Sequence, residues 1–360
     1  MAVKISKIIH QYLVNMFSEA LMATRSTVRD VAHEAGVSLA TVSLVLNGKG
    51  GVGDDTRQRV LAAMERLGYQ RRGQRPLIGL LIERLPVPAY SDPLVGLMVH
   101  GIEIEAGRLG YHVLLASVEP GTTTLPAMVT EQQVSGLVAL GGGDVSDAYI
   151  RTLADTGLPL VLADNYVDGL DVPCVLADNV SGAYLATRRL IDLGHERIAL
   201  LQGPRKYKTL VERREGYLRA LDQAGQSHDP RLMVKPLHGS SRKGYRETQA
   251  LLALPRTDWP TAIVAISDKT ALGALDALKE AGLRVPDDMA LVGFDDIAES
   301  AHVTPALTTV RLPGQAIGEV AVQRLAALID GAAVLPSKTV LYTELIVRES
   351  SGAGRLSATA

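Results

Sequence analysis

Short, continuous apolar runs alternate with amphipathic stretches from residue 77 onward. Each run is six or seven residues long, the usual length of a buried strand. Continuous apolar strands separated by helices are typical of parallel sheets covered on both faces. We therefore expect an α/β body of two doubly wound parallel-sheet subdomains, with a cleft at the carboxyl ends of the strands. The expected strands cover 77–82, 112–118, 136–141, 159–164, 197–203, 262–267 and 289–295, and helices cover 94–109, 184–193, 212–221, 271–278 and 317–329.

A purely helical pattern precedes this region. Thr27 and Asp30 have the spacing of a capping box, and Gly36 is placed to end the helix that they begin. Ser38 can cap a second helix over residues 39–46. Two short helices joined by a tight turn form a helix-turn-helix, which places its second helix in a DNA major groove. The pattern predicts an all-α headpiece, although a helix pair can also serve packing alone.

The glycine-rich stretch GKGGVGDDTRQRV, residues 48–60, raises the question of a phosphate-binding loop. Such a loop follows a strand and ends in a lysine and a hydroxyl residue. Here a predicted helix precedes the glycines, and Asp54 and Asp55 would repel a phosphate. We interpret the stretch as a turn before a third helix that runs to Leu67, with Asp54, Asp55 or Thr56 at its favourable amino-terminal end.

Charge is distributed unevenly along the 360 residues. Residues 24–76 hold nine Lys/Arg and five Asp/Glu, whereas residues 77–360 hold 26 and 33. A small basic module therefore precedes a large acidic body, which favours a polyanionic partner for the first part only. An ordinary solvated surface gives the same balance, so the charge alone does not decide the function.

Cysteine and histidine usage argues against a metal or a disulfide. Cys174 is the sole cysteine, and the eight histidines are scattered without metal-ligand spacing. No Ser-His-Asp or Cys-His arrangement is evident from spacing. We expect no cofactor, no catalytic residue and a cytoplasmic location. The sequence contains no stretch of eighteen uninterrupted apolar residues, so no membrane-spanning helix is expected.

Residues 1–23 allow three interpretations. Lys4 and Lys7 precede an interrupted apolar run, as at the start of a secretion signal. The same residues fit a short amphipathic helix. Translation from Met22 would remove most of the segment, and we favour this third interpretation.

The segment TVRDVAHEAGVSLATVSLVLNGKGGVGDDTRQRVLAAMERLGYQ, residues 27–70, resembles the headpiece of the lactose-repressor (LacI/GalR) family of transcription regulators. The resemblance implies that five polar residues contact phosphates or position the helix, and that three apolar residues read bases. The first group is Thr27, Ser38, Thr41, Ser43 and Asn47, and the second is Leu39, Ala40 and Leu44.

Two departures from the family pattern bear on DNA reading. The family usually has a polar residue where this chain has Leu44, so contact with thymine methyl groups and a T-rich half-site are expected. The linker of residues 70–76 is also about half the family length and lacks the segment for a minor-groove hinge helix. Arg71, Arg72 and Arg75 would lie against phosphates or in a narrow minor groove, or form an exposed basic linker.

The body resembles the same family through LGHERIALLQGP, VERREGYLRAL, TAIVAISDKTALGALDALKEAGLRVPDDMALVGFDDI and TPALTTVRLP, a fold that periplasmic sugar-binding proteins share. The resemblance implies that Asp295, Arg213 and Ser267 bind an effector, although Ser267 replaces a more usual Asn. Asp295 could instead cap a helix, and Arg213 could form a surface ion pair with Glu212 or Glu215.

Further candidates come from the ends of predicted strands, which should meet at the cleft. Asp144 and Asn165 follow two strands of the first group, and Tyr90 and Asp92 lie in the loop after the first strand. An aromatic side chain often stacks on a sugar ring. Three aromatic residues could therefore either stack on a bound sugar or only pack against other side chains. These are Tyr90, Tyr166 and Trp259.

We expect a 1–23 extension, a helix-turn-helix domain at 24–69, a linker at 70–76, an effector-binding and dimerisation domain at 77–350 and a tail at 351–360. Subdomain one should comprise 77–164 and 312–337, and subdomain two 165–311 and 338–350.

The sequence thus predicts a homodimeric regulator, expected to be a repressor, that binds a palindromic operator in double-stranded DNA. A small polar metabolite, expected to be a sugar, would bind between the subdomains and change the spacing of the headpieces. Two alternatives stay open, a ligand-binding protein or enzyme with a vestigial headpiece and a DNA binder without sequence preference.

Overall fold

The computed structural model describes residues 27–46, 51–67, 76–84, 92–141, 145–236 and 243–352. The chain divides into two compact units, residues 1–75 and 76–360. The division falls within residues 70–76, the segment expected to be a linker. Each unit has its own hydrophobic core.

The first unit contains three helices, α1 (Val28–Ala35), α2 (Leu39–Leu46) and α3 (Asp54–Arg66). The capping box is confirmed, because Asp30 N donates to Thr27 Oγ1 at 3.4 Å and Thr27 N donates to Asp30 Oδ2 at 2.6 Å. Gly36 ends α1 in the left-handed conformation, with φ 63°. Asp54 and Asp55 occupy the first turn of α3, where the helix dipole favours acids. A helix, not a strand, precedes the glycines, so the stretch is not a phosphate-binding loop.

The headpiece core forms where the three helices meet. One apolar face of each helix supplies it, and the side chains at its centre are fully buried. They are Val31, Val42, Val60 and Ala63. Burial of one face of α2 leaves its opposite face available for a partner.

The second unit is built from parallel strands and helices, as the alternating pattern predicts. Its strands are β1 (Leu77–Glu83), β2 (His112–Val118), β3 (Leu137–Leu140), β4 (Leu160–Ala163), β5 (Cys174–Ala177), β6 (Ile198–Leu201), β7 (Met233–Val234), β8 (Ala262–Ala265), β9 (Ala290–Val292), β10 (Thr309–Arg311), β11 (Lys338–Leu341) and β12 (Glu344–Ile346). Its helices are α4 (Pro93–Leu109), α5 (Ala127–Thr130), α6 (Asp147–Ala154), α7 (Asn179–Asp192), α8 (Lys208–Gln223), α9 (Lys243–Leu252), α10 (Asp268–Glu280), α11 (Ala298–His302) and α12 (Gly314–Ile329).

These strands form two all-parallel sheets and one short antiparallel pair. The six-stranded sheet has the order β11-β5-β4-β3-β1-β2, and the four-stranded sheet has the order β7-β6-β8-β9. Strands β10 and β12 pair antiparallel. The sheets correspond to two subdomains, between which the chain crosses three times.

The sheet topology corrects the subdomain boundaries. Strands β5 and β11, expected in subdomain two, pair with each other and with β4 in the six-stranded sheet of subdomain one. The first crossing therefore follows Ala177 and not residue 164, and the third follows Leu341. The four buried residues of β5 have no room to turn into the second sheet before α7 begins at Asn179.

Helices α7 and α8 approach each other closely in the second subdomain. A Cβ atom at Gly216 would collide with the backbone carbonyl oxygen of Val180. Only glycine permits this approach, which brings Asn179 at the start of α7 alongside Arg213 on α8. The glycine of the REG stretch thus helps to position the arginine one turn before it.

Candidate functional site

The centre of the cleft is a buried ion pair between Arg213 and Asp295. Arg213 Nη1 donates to Asp295 Oδ1 at 2.9 Å and to the backbone oxygen of Ile266 at 2.7 Å. Its Nε donates to Asn179 Oδ1 at 3.0 Å, and the guanidinium lies over the Phe294 ring, 3.9 Å from its centroid. Such multiple support fixes the guanidinium in one orientation.

The structure excludes both alternative roles for these residues. The Arg213 side chain is only 4% exposed, so it does not form a surface ion pair with Glu212 or Glu215. The residue that caps α11 is Ile297, and Asp295 therefore does not cap that helix. The structure thus brings together the two residues that the family resemblance placed in the site.

Asp164 is a cleft carboxylate that the sequence analysis missed. It follows β4, whereas Asp295 follows β9, so the two lie beyond the carboxyl ends of strands in different sheets. Both have a positive φ, 56° and 121°, which is rare for residues other than glycine and recurs at functional sites. Asp164 Oδ1 is buried and has no hydrogen-bond partner among the described residues. A sequence signal existed, because Asp164 is the last residue of the apolar run 159–164.

Burial raises the pKa of Asp164 to about 6, against the opposing effect of Arg213. Glu212 and Glu83 add to the increase through charge repulsion. Burial likewise raises the pKa of Asp295 to about 7, although Arg213 counteracts the rise. Both carboxyl groups therefore titrate close to neutrality, unlike an exposed aspartate.

These side chains line a cavity of about 230 Å³ between the two subdomains. Its wall combines charged groups with apolar side chains that could contact the carbon atoms of a ligand. The lining consists of Asp92, Pro93, Leu94, Asp164, Tyr207, Thr209, Leu210, Arg213, Ser267, Lys269, Asp295 and Ile297.

Ser267 and Asp92 both reach the cavity and also cap helices. Ser267 Oγ accepts from Thr270 N at 3.3 Å at the start of α10. Asp92 Oδ1 accepts from Val95 N at 3.2 Å at the start of α4, and its Oδ2 accepts from Lys269 Nζ at 2.7 Å. Sequence reasoning missed Lys269, whose only signal is its place two residues after the strand-end Ser267.

Asn165 does not belong to the lining of this cavity. Its side chain is buried, and its Oδ1 accepts from Tyr166 N at 2.8 Å. The prediction was wrong by one residue, because the left-handed conformation of Asp164 places that carboxylate at the cavity and turns the next side chain away.

Among the described residues, the predicted aromatic side chains of Tyr166 and Trp259 do not line the cavity either. Tyr166 lies between Lys208 and Lys338, with ammonium groups 4.9 and 4.3 Å from its ring centroid. Trp259 donates through Nε1 to the Leu254 carbonyl at 2.9 Å and serves packing. The aromatic side chain of the wall is Tyr207, whose hydroxyl donates to Glu83 Oε1 at 3.3 Å.

Among the described residues, three pairs of side chains bridge the cleft from one subdomain to the other. Two of them are the Tyr207–Glu83 hydrogen bond and the Lys269–Asp92 ion pair. In the third, Lys208 Nζ lies 2.9 Å from Asp147 Oδ2 and donates to the Tyr166 carbonyl at 2.6 Å. The structure therefore holds the subdomains closed around the cavity.

In the first unit, four of the residues that were predicted to contact DNA are exposed on α2 or at its start. Leu39 is 48% exposed, and Ser38, Ala40 and Ser43 are also exposed. Thr41 and Leu44 are half-buried. Ser38 Oγ accepts from Thr41 N at 3.1 Å, so it caps the helix as well. Thr27 is engaged in the capping box of α1.

Six predicted site residues lie outside the described part of the chain, one of them Arg75. The others are Asn47, Arg71, Arg72, Tyr90 and Asp144. Among the described residues, no group of three or more His, Cys, Asp and Glu side chains could hold a metal ion. Over the same residues, no helix has the length and apolar character required to cross a membrane.

Comparison with known proteins places this geometry in a family. Residues 27–72 match "Bacterial regulatory proteins, lacI family", and residues 187–351 match "Periplasmic binding protein-like domain". The chain is 36% identical over 339 residues to the HTH-type transcriptional regulator reg1 of Streptomyces lividans, covering 92% of this chain and 97% of that protein.

Two solved structures have the same architecture. The transcriptional regulator CelR-cellobiose complex is 32% identical, with a TM-score of 0.69, and the match covers 91% of this chain and 100% of that one. The lac repressor dimer bound to operator and the anti-inducer ONPF is 28% identical, with a TM-score of 0.68 and coverage of 91% and 99%. The chain therefore belongs to the LacI family and is a helix-turn-helix transcriptional regulator with a periplasmic-binding-protein-like body.

Proposed function

We propose that this regulator is a homodimeric repressor that binds a palindromic operator in the cytoplasm and responds to a sugar bound in its cleft. The observation that carries the proposal is the Arg213–Asp295 ion pair, buried at a cavity between subdomains together with an Asp164 oxygen that has no hydrogen-bond partner in the described part of the chain. A guanidinium and two carboxylates held in fixed positions suit the hydroxyl groups of a sugar. The related CelR structure contains cellobiose.

Cleft closure supplies the conformational response. A ligand that contacts both Arg213 in subdomain two and Asp164 in subdomain one binds the closed form more tightly than the open form. The Lys269–Asp92 and Lys208–Asp147 pairs add to the same preference. In a dimer, a change of closure would alter the separation of the two headpieces on half-sites about one helical turn apart.

Exposed apolar side chains support a homodimer. Leu97 and Ile104 on α4 are 41% and 43% exposed, and Leu115 on the edge strand β2 is 46% exposed. Apolar groups on neighbouring surface elements are typical of an interface between subunits. Sedimentation of the wild type should give a dimer, and Ile104→Glu with Leu115→Glu should give a monomer with a folded body.

The burial pattern of α2 supports the proposal that its exposed face contacts DNA bases. Val42 and Val45 are buried in the headpiece, so the opposite face, with Leu39, Ala40 and Ser43, is free to enter a major groove. The basic balance of residues 24–76 supports phosphate contact.

The test is capture of sheared genomic DNA by the purified protein at near-physiological salt, followed by sequencing of the retained fragments. We expect an enriched palindrome, and genes beside it would identify the regulated pathway. Retention without a shared motif would instead favour the alternative of a DNA binder without sequence preference, whose affinity depends on salt and hardly on sequence. If no DNA is retained, either with or without a small-metabolite extract, the result would favour the alternative of a ligand-binding protein with a vestigial headpiece.

A further inference from the structure

Two carboxyl groups of the cavity come from opposite walls of the cleft. Asp164 follows β4 of the first subdomain, and Asp295 follows β9 of the second. The Asp295 side chain is only 10% exposed, and Asp164 Oδ1 is buried without a hydrogen-bond partner among the described residues. Closure of the cleft therefore brings both groups out of water and towards each other, which is unfavourable when both are ionised.

Charged groups from two other elements act on Asp164. Burial raises its pKa to about 6, against the positive charge of Arg213 on α8. Glu212, also on α8, and Glu83 at the end of β1 add to the rise through repulsion. Two acids therefore act on Asp164 against one cation.

Asp295 has similar surroundings. Burial raises its pKa to about 7, and Arg213 opposes the rise through its charge and its hydrogen bond. Asp268, at the start of α10, and Asp164 on the other wall add negative charge. The two carboxyl groups thus share one guanidinium, and each makes ionisation of the other less favourable, so they titrate as a coupled pair.

The other charged residues of the described lining do not relieve this pair. Lys269 lies 2.7 Å from Asp92, so these two charges balance each other. None of the described lining residues is a histidine. Lys208, farther along the cleft, is held by Asp147 at 2.9 Å. A proton from the solvent can supply the missing positive charge.

Opening of the cleft removes the cause of the raised pKa values. Tyr207, Leu210 and Arg213 line the wall that faces Asp164, and a hinge movement that draws this wall away admits water to both carboxyl groups. In water, the pKa of an aspartate is about 3.9. The closed form therefore holds a proton more tightly than the open form, and closure is favoured as the pH falls.

We propose that the proton is itself an effector of this regulator, and that closure of the empty cleft takes up one proton from the solvent on the Asp164–Asp295 carboxyl pair. The protonated pair retains one carboxylate for the one guanidinium of Arg213. Acidification thus closes the cleft, and alkaline pH opens it. The inference rests on the opening and closing of the cleft in the proposed function, but it requires neither a bound ligand nor DNA.

Spin labels on the two walls measure closure directly. Ala148 on α6 and Arg205 before α8 are exposed, and each lies within three residues of one partner of the Lys208–Asp147 pair. The full-length protein carries Ala148→Cys and Arg205→Cys for labelling, with Cys174→Ala because Cys174 is the sole native cysteine. After dialysis against ligand-free buffer, pulsed electron paramagnetic resonance gives the distribution of label distances at pH 5, 6, 7 and 8.

We expect a short and a long distance whose proportions change with pH. A carboxyl group with a pKa of about 6 in the closed form and about 3.9 in the open form increases the ratio of closed to open protein about tenfold between pH 8 and pH 5. Titration of Asp295 in the same range can only enlarge this factor, because burial raises its pKa as well.

Three variants assign the proton. Asp164→Asn carries no charge in either form, so it should be as closed at pH 8 as the wild type is at pH 5, with most of the pH dependence lost. Glu83→Gln keeps an acceptor for Tyr207 but removes a charge that raises the pKa of Asp164, so the midpoint of closure should move to lower pH. Asp276→Asn, an exposed aspartate on α10, is the matched control and should respond like the wild type.

A closed fraction that is the same at pH 5 and pH 8, or that increases with pH, overturns the inference. Full pH dependence in Asp164→Asn also overturns it, since the proton would then bind elsewhere. Capture of genomic DNA by the unlabelled protein keeps these results separate from the regulatory proposal. If DNA is not retained while acidification still shortens the label distance, the operator-binding role fails and proton-linked closure stands.

Discussion

Lys269 Nζ lies 2.7 Å from Asp92 Oδ2, and this ion pair joins the two walls of the cleft. Asp92 caps α4 in the first subdomain, and Lys269 lies in the first turn of α10 in the second. Because the two residues lie in different subdomains, Lys269 and Asp92 come into contact only when the cleft closes. The Lys208–Asp147 pair spans the same cleft from α8 to α6, so closure gains electrostatic free energy from two separate contacts.

We predict that these pairs make ligand affinity dependent on salt. Exposed ion pairs contribute roughly 0.2–1 kcal/mol each, so the loss of both pairs in Lys208→Met with Lys269→Met should weaken ligand binding about two- to thirtyfold at low salt. Because salt screens exposed charges, the wild type should approach the variant near 1 M NaCl, where the screening length is about 3 Å. Calorimetric titration at low and high salt measures both effects.

The control for this prediction is Arg284→Met. Arg284 lies 3.1 Å from Asp288, and both residues belong to the second subdomain and do not line the cavity. Its loss should leave ligand affinity and its salt dependence unchanged. A wild type whose ligand affinity is the same at low and high salt would show that the bridging pairs do not assist closure.

The sequence predicts the parts of the site that depend on a motif or on the end of a long strand. Arg213 and Asp295 lie in segments with a family resemblance, and both are found together in the cleft. Asp164 was missed in favour of Asn165, because strand periodicity does not reveal that the residue after β4 takes a left-handed conformation. Lys269 was missed because a single lysine on a predicted helix has no distinguishing pattern.

In the fold, too, the elements with a clear local pattern were predicted and others were missed. The long apolar runs became strands as predicted, whereas β5 was not expected, although its segment PCVLAD, residues 173–178, has the same pattern as the predicted PLVLAD, residues 159–164. Strand β11 is half exposed at the sheet edge, so it lacks the continuous apolar pattern of a central strand. Strand β11 pairs with β5 across about 160 residues of intervening chain, and local sequence carries no signal for such distant pairing.

We predict that Asp164→Asn stabilises the protein in alkaline solution. The pKa of Asp164 is about 6 in the folded protein and 3.8 in the unfolded reference. The folded state thus retains a proton that the unfolded state loses between these values, and stability falls as pH rises through this window. A shift of about two pKa units corresponds to at most about 3 kcal/mol, and we expect a gain of about 1–3 kcal/mol above pH 6.

Asn is suited to this substitution because it tolerates the positive φ of residue 164. Denaturant unfolding at pH 8 and at pH 4 provides the measurement, with Asp276→Asn as control. The gain should be present at pH 8 and largely absent at pH 4, where the folded wild type is already protonated. A gain of equal size at both pH values would assign it to packing and not to the buried charge.

Replacement of Gly216 tests how Arg213 is positioned. In Gly216→Ala, the new methyl group meets the Val180 carbonyl and the Ala183 side chain, so α8 must move away from α7. Overpacking of this kind costs about 1–3 kcal/mol, and the Arg213–Asn179 hydrogen bond should weaken with it. We expect lower stability by denaturant unfolding and weaker ligand binding. Gly107→Ala, on an open face of α4, should leave ligand affinity unchanged and stabilise the helix slightly.

The exposed face of α2 predicts which chemical group of the operator is read. Leu39 and Ala40 carry no hydrogen-bonding side-chain atoms, so their contacts in a major groove are with the 5-methyl group of thymine. Deoxyuridine differs from thymidine only in lacking this methyl group. We therefore expect deoxyuridine substitution at one or more thymines of the enriched palindrome to weaken wild-type binding by about 1 kcal/mol each, roughly fivefold.

A double-mutant cycle assigns the contact to a residue. Leu39→Ala should bind the thymine operator more weakly than the wild type, and deoxyuridine at the position that Leu39 reads should then have no further effect. Leu61→Ala, which removes a leucine of similar exposure from α3, should retain the full sensitivity to deoxyuridine. Because phosphate contacts do not depend on the methyl group, the slope of affinity against salt should be the same for all three proteins. A wild type that binds both operators equally would contradict methyl reading, and would assign its sequence preference to the shape or deformability of the DNA.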